Sequence, residues 1–331
     1  MAFILRWTNP NTQSTVINIY RDTKDILTSA LPAPIATLSN GETEWRDTTA
    51  QGGKTYYYLM TVTANGKTVA GPSTPYTIAV KRGMGPNTFI HGDDKLGFMG
   101  VVPYEERFDV NQLPATFQAM FPNVFTDRPV LLKFSYYGKI LYVPEFTPAI
   151  GFASWAALYT NGLIYGRDDN GPEGGWGTLT PTKQDAKVIH KGDVYRMRVP
   201  RGMVGQNASE VLAFNNDYQL KDHDATDLGH NEFNDLMYAM VLDFPAKQRA
   251  INAHVYSSTY FGAGGVVSSS PQLNGGLVCM EHDSGAERVL HRGLFMSAAI
   301  TTSSQVSVMQ RINYVTPQQV GRYIPIFELV E

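Results

Sequence analysis

The residues able to do chemistry gather in a few short stretches. The densest is Asp222-His223-Asp224-Ala225-Thr226-Asp227-Leu228-Gly229-His230, with enough carboxylates and imidazoles to hold a divalent ion if the chain folded around it. The same spacing also suits a solvated loop whose acidic and amide groups cap a helix starting near Asn231, and that is the reading preferred. Arg167-Asp168-Asp169-Asn170-Gly171 with Glu173 offers oxygen ligands for calcium, but it lacks the alternating ligands and distal glutamate of an EF-hand loop. It is read as a polar turn. Asp168, Asp169, Glu173 and Asp193 are the acids that a glycosidase pair could draw on, a pairing set by distance in space rather than in sequence.

Other signatures stop short of chemistry. Gly53-Lys54-Thr55 and Gly66-Lys67-Thr68 end like phosphate-binding loops, yet Thr48 and Thr61 stand where the first glycine is required. Neither a His-Glu-x-x-His stretch nor a Gly-x-Ser-x-Gly elbow occurs. Cys279 is the single cysteine, so neither an intrachain disulfide nor a cysteine metal cage can form. Asn207-Ala208-Ser209 matches a glycosylation sequon that matters only in a secretory compartment. No catalytic group, metal or cofactor is therefore assigned, and the chain is expected not to be an enzyme.

Trp176, within Gly174-Gly175-Trp176-Gly177, is singled out instead. Its glycine neighbours supply no side chains to cover an indole, so the ring either folds back, stacks on a sugar or enters a neighbouring subunit. Tyr136 and Tyr137 are the accompanying candidates for interface or glycan contact.

The elements that position these residues read as mainly β. Charged residues make up only 17% of 331, and glycine, proline and aromatic residues are frequent, a balance suited to sheets and turns. The length allows two domains with separate cores. Lys and Arg total 27 against 30 Asp and Glu, giving a net charge of −3, which lacks the electrostatic footprint of a nucleic-acid or anionic-membrane binder. The N-terminus has no secretion-signal pattern, and glycine, serine, threonine and proline interrupt the uncharged stretches 146–166 and 255–280. Assembly in the cytoplasm and no membrane span are expected.

Phe3, Leu5 and Trp7 alternate, and Val16 to Tyr20 forms a second strand. In Thr55 to Ala64, Tyr56, Tyr58, Met60, Val62 and Ala64 share one face, and Asn65-Gly66 predicts a hairpin turn. Further hairpins are expected from Val130 to Val143, turning at Gly138-Lys139, and from Val188 to Val199, turning at Lys191-Gly192. A short helix or coil is expected near 108–121, and short helices at 154–159 behind Ser154 and at 232–240, the strongest helical pattern in the chain. Tyr323 to Val330 alternates as a closing strand, with Pro325 arguing for an edge or bulge.

Over about 2–80 these residues resemble a fibronectin type III domain, an immunoglobulin-like sandwich. Trp7 stands where that family keeps its core tryptophan, Tyr20-Arg21 resembles its third strand, and Gly53-Lys54-Thr55-Tyr56 with Val62-x-Ala64-x-Gly66 resembles its tyrosine-corner strand. The resemblance implies that Trp7, Tyr20 and Tyr56 are core residues. Glycines and prolines at 71–75 and 83–86 place a boundary near 82, followed by a linking extension over 83–129.

Over 130–331, Gly138 to Pro144, Ser154-Trp155-x-x-Leu158, the Tyr195 to Arg198 strand, Glu232 to Tyr238, Gly276 to Cys279, Glu287 to Gly293 and Arg322 to Leu329 resemble, in that order, a mixed β domain of tailed-bacteriophage virion proteins. Trp155 is placed in its core. The Arg-Gly and closing-strand end also resembles C-type-lectin-like and formylglycine-generating-enzyme-like folds; the chemistry of the latter needs two cysteines and so is not expected here. The resemblance implies a structural virion component of the tail, collar or surface-decoration class, partnered by other virion proteins and by copies of itself in a symmetric homo-oligomer. Uncharged stretches at 255–280 and 294–309 suit such interfaces. The alternatives are an adhesin reading host surface glycan and a depolymerising enzyme.

Overall fold

The computed structural model describes residues 3–78, 83–122, 127–144, 151–172, 178–206, 208–213, 228–238, 276–283, 285–292 and 312–330. The fold is mainly β, with several antiparallel sheets and few short helices. The backbone divides into two compact units, residues 1–102 with 132–141, and residues 103–131 with 142–330.

In the first unit, β1 (Phe3–Arg6), β2 (Val16–Asp22), β3 (Ala36–Leu38), β4 (Glu44–Asp47), β5 (Thr55–Ala64), β6 (Lys67–Ala70) and β7 (Thr74–Thr77) make the N-terminal layers. One sheet runs β3-β2-β5-β6, with β7 also pairing β5, and β1 pairs with β4 in a second. Alternation puts Ile17 and Ile19 of β2 and Tyr56 and Tyr58 of β5 on the face that meets Phe3 and Leu5 of β1. This shared core is a sandwich, sealed by Tyr76 and by partly buried Trp7, Met60 and Val62. Asn65 and Gly66, at φ of 50° and 74°, turn β5 into β6 as their sequence requires.

Tyr20 is buried as expected, on the opposite face of β2, in a separate cluster with Ile26 and Leu59. The corner is closed by another tyrosine. Tyr58, two positions beyond the expected Tyr56, donates its hydroxyl to Asp47 at 2.8 Å. Asp47 also accepts from Arg21 and from the amides of Thr49 and Ala50, fixing the bend between β4 and β5.

The unit continues through β8 (His91–Gly92), β9 (Leu96–Val101), β10 (Leu131–Tyr136) and the start of β11 (Lys139–Pro144), within the stretch expected to be a linking extension and just beyond it. Asp93 and Asp94, beside β8, accept the amides of Arg6 and Ile4 at 3.0 Å, so carboxylates bind the backbone of β1. The β10–β11 turn falls on Tyr137-Gly138 rather than Gly138-Lys139. Gly138, at φ 82°, passes so close to the Thr77 carbonyl that a Cβ would lie 1.9 Å from it, which fixes the glycine at the second turn position and puts Tyr137 in the first.

In the second unit, α1 (Ala115–Met120) follows two 3₁₀ turns, and α2 (Trp155–Thr160) starts where the Ser154 hydroxyl accepts from the Ala157 amide. The strands are β12 (Gly151–Ser154), β13 (Lys187–His190), β14 (Asp193–Arg198), β15 (Leu277–Asp283), β16 (Arg288–Arg292), β17 (Ile312–Val315), β18 (Val320–Tyr323) and β19 (Ile326–Val330). One sheet runs β12-β18-β15-β16-β17; in another, β14 lies between β13 and β19. Lys191-Gly192 makes the β13–β14 turn as predicted. Pro325 does not mark an edge: Ile324-Pro325 lies where the chain leaves β18 in one sheet and enters β19 in another. The strong helical pattern after Glu232 is a π-helical turn, Phe233–Tyr238. No helix among the described residues is long and apolar enough to cross a membrane.

Candidate functional site

The most concentrated polar chemistry in the described structure lies in the second unit, around the loop that leaves β14. Strand alternation turns Tyr195 and Met197 to one face, and Arg198 ends the strand with its side chain buried. That group makes a bidentate pair with Glu232, 2.7 Å on each arm, and reaches Glu328 of β19 at 2.9 Å through Nε. Glu232 also accepts the Arg201 amide and the Gln206 side chain, each at 2.9 Å. Four donors therefore hold one carboxylate. Burial pushes Glu232 upward, yet the Arg198 charge and these bonds leave it below the usual carboxylate range, and Arg198 is raised above an ordinary arginine.

Glu281 of β15 is held differently. Its oxygens accept the successive amides of Gly202, Met203 and Val204 at 2.9 to 3.1 Å, a backbone nest around a buried carboxylate. Here burial outweighs the amides, and its pKa is raised. Arg201 pairs with Glu210 at 2.5 Å. Arg292 of β16 donates to the Gly202 carbonyl and, at 3.0 Å, to Asn234, and its guanidinium lies 4.3 Å from the Phe233 ring centre. Nearby, Tyr165 shares a hydrogen bond of 2.9 Å with His282, and Trp155 stacks on Tyr159 with ring centres 5.3 Å apart. Residues 199–206 are thus bonded to Glu210, Glu232, Glu281 and Arg292. Glu232 and Glu281 are both held by donors of their own chain.

The expected residues fall elsewhere. Trp176 and Glu173 lie outside the described residues, as do Asp222 to Asp227, Asn207, and nearly all of 255–280 and 294–309. Tyr136 is fully buried and so cannot offer a stacking face, a correction that follows from its place on an interior strand. Tyr137 is half-buried: it stacks on Tyr76 at 6.0 Å, meets Tyr136 edge-on and has the Lys95 ammonium 5.9 Å from its ring centre. Trp155 is core, as expected. Asp168 pairs with Lys183 at 2.5 Å, and Asp169 accepts the Gly171 amide at 2.7 Å, forming a turn. His230 pairs with Asp235 at 3.0 Å. No group of three metal-ligating side chains occurs among the described residues. Cys279 is buried, and burial pushes its thiol well above the ordinary range, away from thiolate chemistry.

The Arg198–Glu232 network was not singled out from sequence as a site. Its traces were Arg196-Met197-Arg198 on a strand and Glu232 ahead of a helical pattern, features that a surface would equally produce. Comparison of the chain with protein-family models, curated proteins and solved structures gives no match.

Proposed function

We propose that the chain is a non-enzymatic structural component of a tailed-bacteriophage particle, of the tail, collar or surface-decoration class, whose two units serve as docking modules in a symmetric homo-oligomer. The ordered motifs from Gly138 to Leu329 motivate this reading. The observation that carries it is the dense ionic network around 199–206, which spends buried charge on holding a loop still. A fixed loop suits repeated contact with identical neighbours. An adhesin is less favoured, because two of its three expected stacking rings, Tyr136 and Tyr137, are buried or covered.

Antibody against the purified chain should label intact particles at a regular position, and the chain should sediment as a defined oligomer or join particles in complementation. A stable monomer whose antibody labels no particle would overturn the proposal.

A further inference from the structure

The first unit buries a lysine completely. Lys133 lies on β10 opposite Gly100 of β9, at a register shift between Lys133 and Phe134, and none of its surface reaches solvent. Irregular pairing of this kind re-aims a side chain. Here the ammonium passes beneath the segment before β8, where Nζ lies 3.0 Å from Asn87 Oδ1 and 3.4 Å from the Gly85 carbonyl. A primary amine is thus held in contact with a primary carboxamide, two groups that can condense without an activating cofactor.

We propose that Lys133 and Asn87 form an isopeptide bond. In its neutral form, Nζ attacks Cγ of Asn87, giving a tetrahedral centre. Collapse breaks the bond from Cγ to the side-chain amide nitrogen, which leaves as ammonia carrying the proton given up by Nζ. One carbon–nitrogen bond forms and one breaks; nothing is oxidised or reduced. Fixed contact between the partners replaces a bimolecular encounter. Asn87 is exposed, giving the ammonia a way out. The product bridges the segment 83–90 to β10. This inference stands apart from the virion assignment.

Intact mass spectrometry of the full chain tests it directly. The expected mass is lower than the sequence mass by one ammonia, and trypsin should release a branched peptide joining residues 83–95 to 108–139. Asn87→Asp should form the same bond with loss of water, and Lys133→Met should show neither the loss nor the branch. A natively folded full-length chain at its unmodified mass, with the two peptides recovered separately, overturns the proposal without reference to any variant.

Discussion

The N-terminal sandwich and the second unit solve the same problem with different materials. The sandwich closes on apolar and aromatic faces, Phe3 against Tyr58 and Tyr76 at ring distances of 5.0 Å, and uses Asp47 as its polar tie at the β4–β5 corner. The second unit adds to its apolar core the guanidinium groups of Arg198, Arg201 and Arg292 and the carboxyl groups of Glu210, Glu232, Glu281 and Glu328. Apolar packing tolerates loss in proportion to the surface removed. An ionic network fails abruptly, because removing one member strands the others in a medium that penalises charge.

That contrast can be broken most decisively at Arg198. Arg198→Met leaves Glu232 and Glu328 without their shared cation and should cost about 3–5 kcal/mol in chemical denaturation followed by circular dichroism. A loss under about 1 kcal/mol would mean that the backbone amides alone carry Glu232.

In the sandwich, Tyr56→Ala should cost about 3 kcal/mol as a large-to-small core change. A finer comparison separates the two tyrosines. Tyr58→Phe removes the hydroxyl that Asp47 accepts and should cost about 1–2 kcal/mol, whereas Tyr56→Phe should stay within about 0.5 kcal/mol. Equal losses would remove Tyr58 from its place at the corner. Burial pushes Asp47 upward, but the bonds from Thr49 and Tyr58 and the Arg21 charge leave it below the usual range. Its contribution is therefore present above the unfolded carboxylate pKa and disappears as pH falls through the depressed folded value.

Glu281 should behave in the opposite sense, with the smallest effect. Its folded pKa is raised by burial, so the protonated form is favoured in the fold, and stability should decline as pH rises from the ordinary carboxylate range through the raised value. Because one oxygen accepts all three amides, Glu281→Gln can keep the nest. The change should be within about 1 kcal/mol near neutral pH and should flatten that decline. An unchanged pH profile would assign the slope to another group.

How much could be read in the sequence follows the same division. The alternation of β2 and β5, the Asn65-Gly66 and Lys191-Gly192 turns and the Ser154 cap are local, so periodicity and turn chemistry were sufficient. That both faces of β2 are covered is less legible: the adjacent Ile19 and Tyr20 are both buried, on opposite faces, and alternation alone cannot say so. The Tyr137-Gly138 turn was shifted by one because the deciding contact comes from Thr77, far away in sequence. Arg198, Glu232, Glu281 and Arg292 were illegible as a group for the same reason. Their partners lie up to 130 residues apart, and charged residues are ordinarily read as surface.

The break at Ile324-Pro325 has a consequence for how the chain reaches this state. β12 pairs with β18 and β14 with β19, so two early strands of the second unit acquire these partners only from the stretch on either side of that break. Loop closure over such separations is slow, and the apolar residues of β14 remain without that cover while the intervening chain is made. The sandwich, whose pairings all fall within residues 3–77, has no such wait. During synthesis the molecule therefore passes through a stage in which one half is finished and the other still presents strand edges to the cell, and it is at that stage that aggregation or chaperone capture would act.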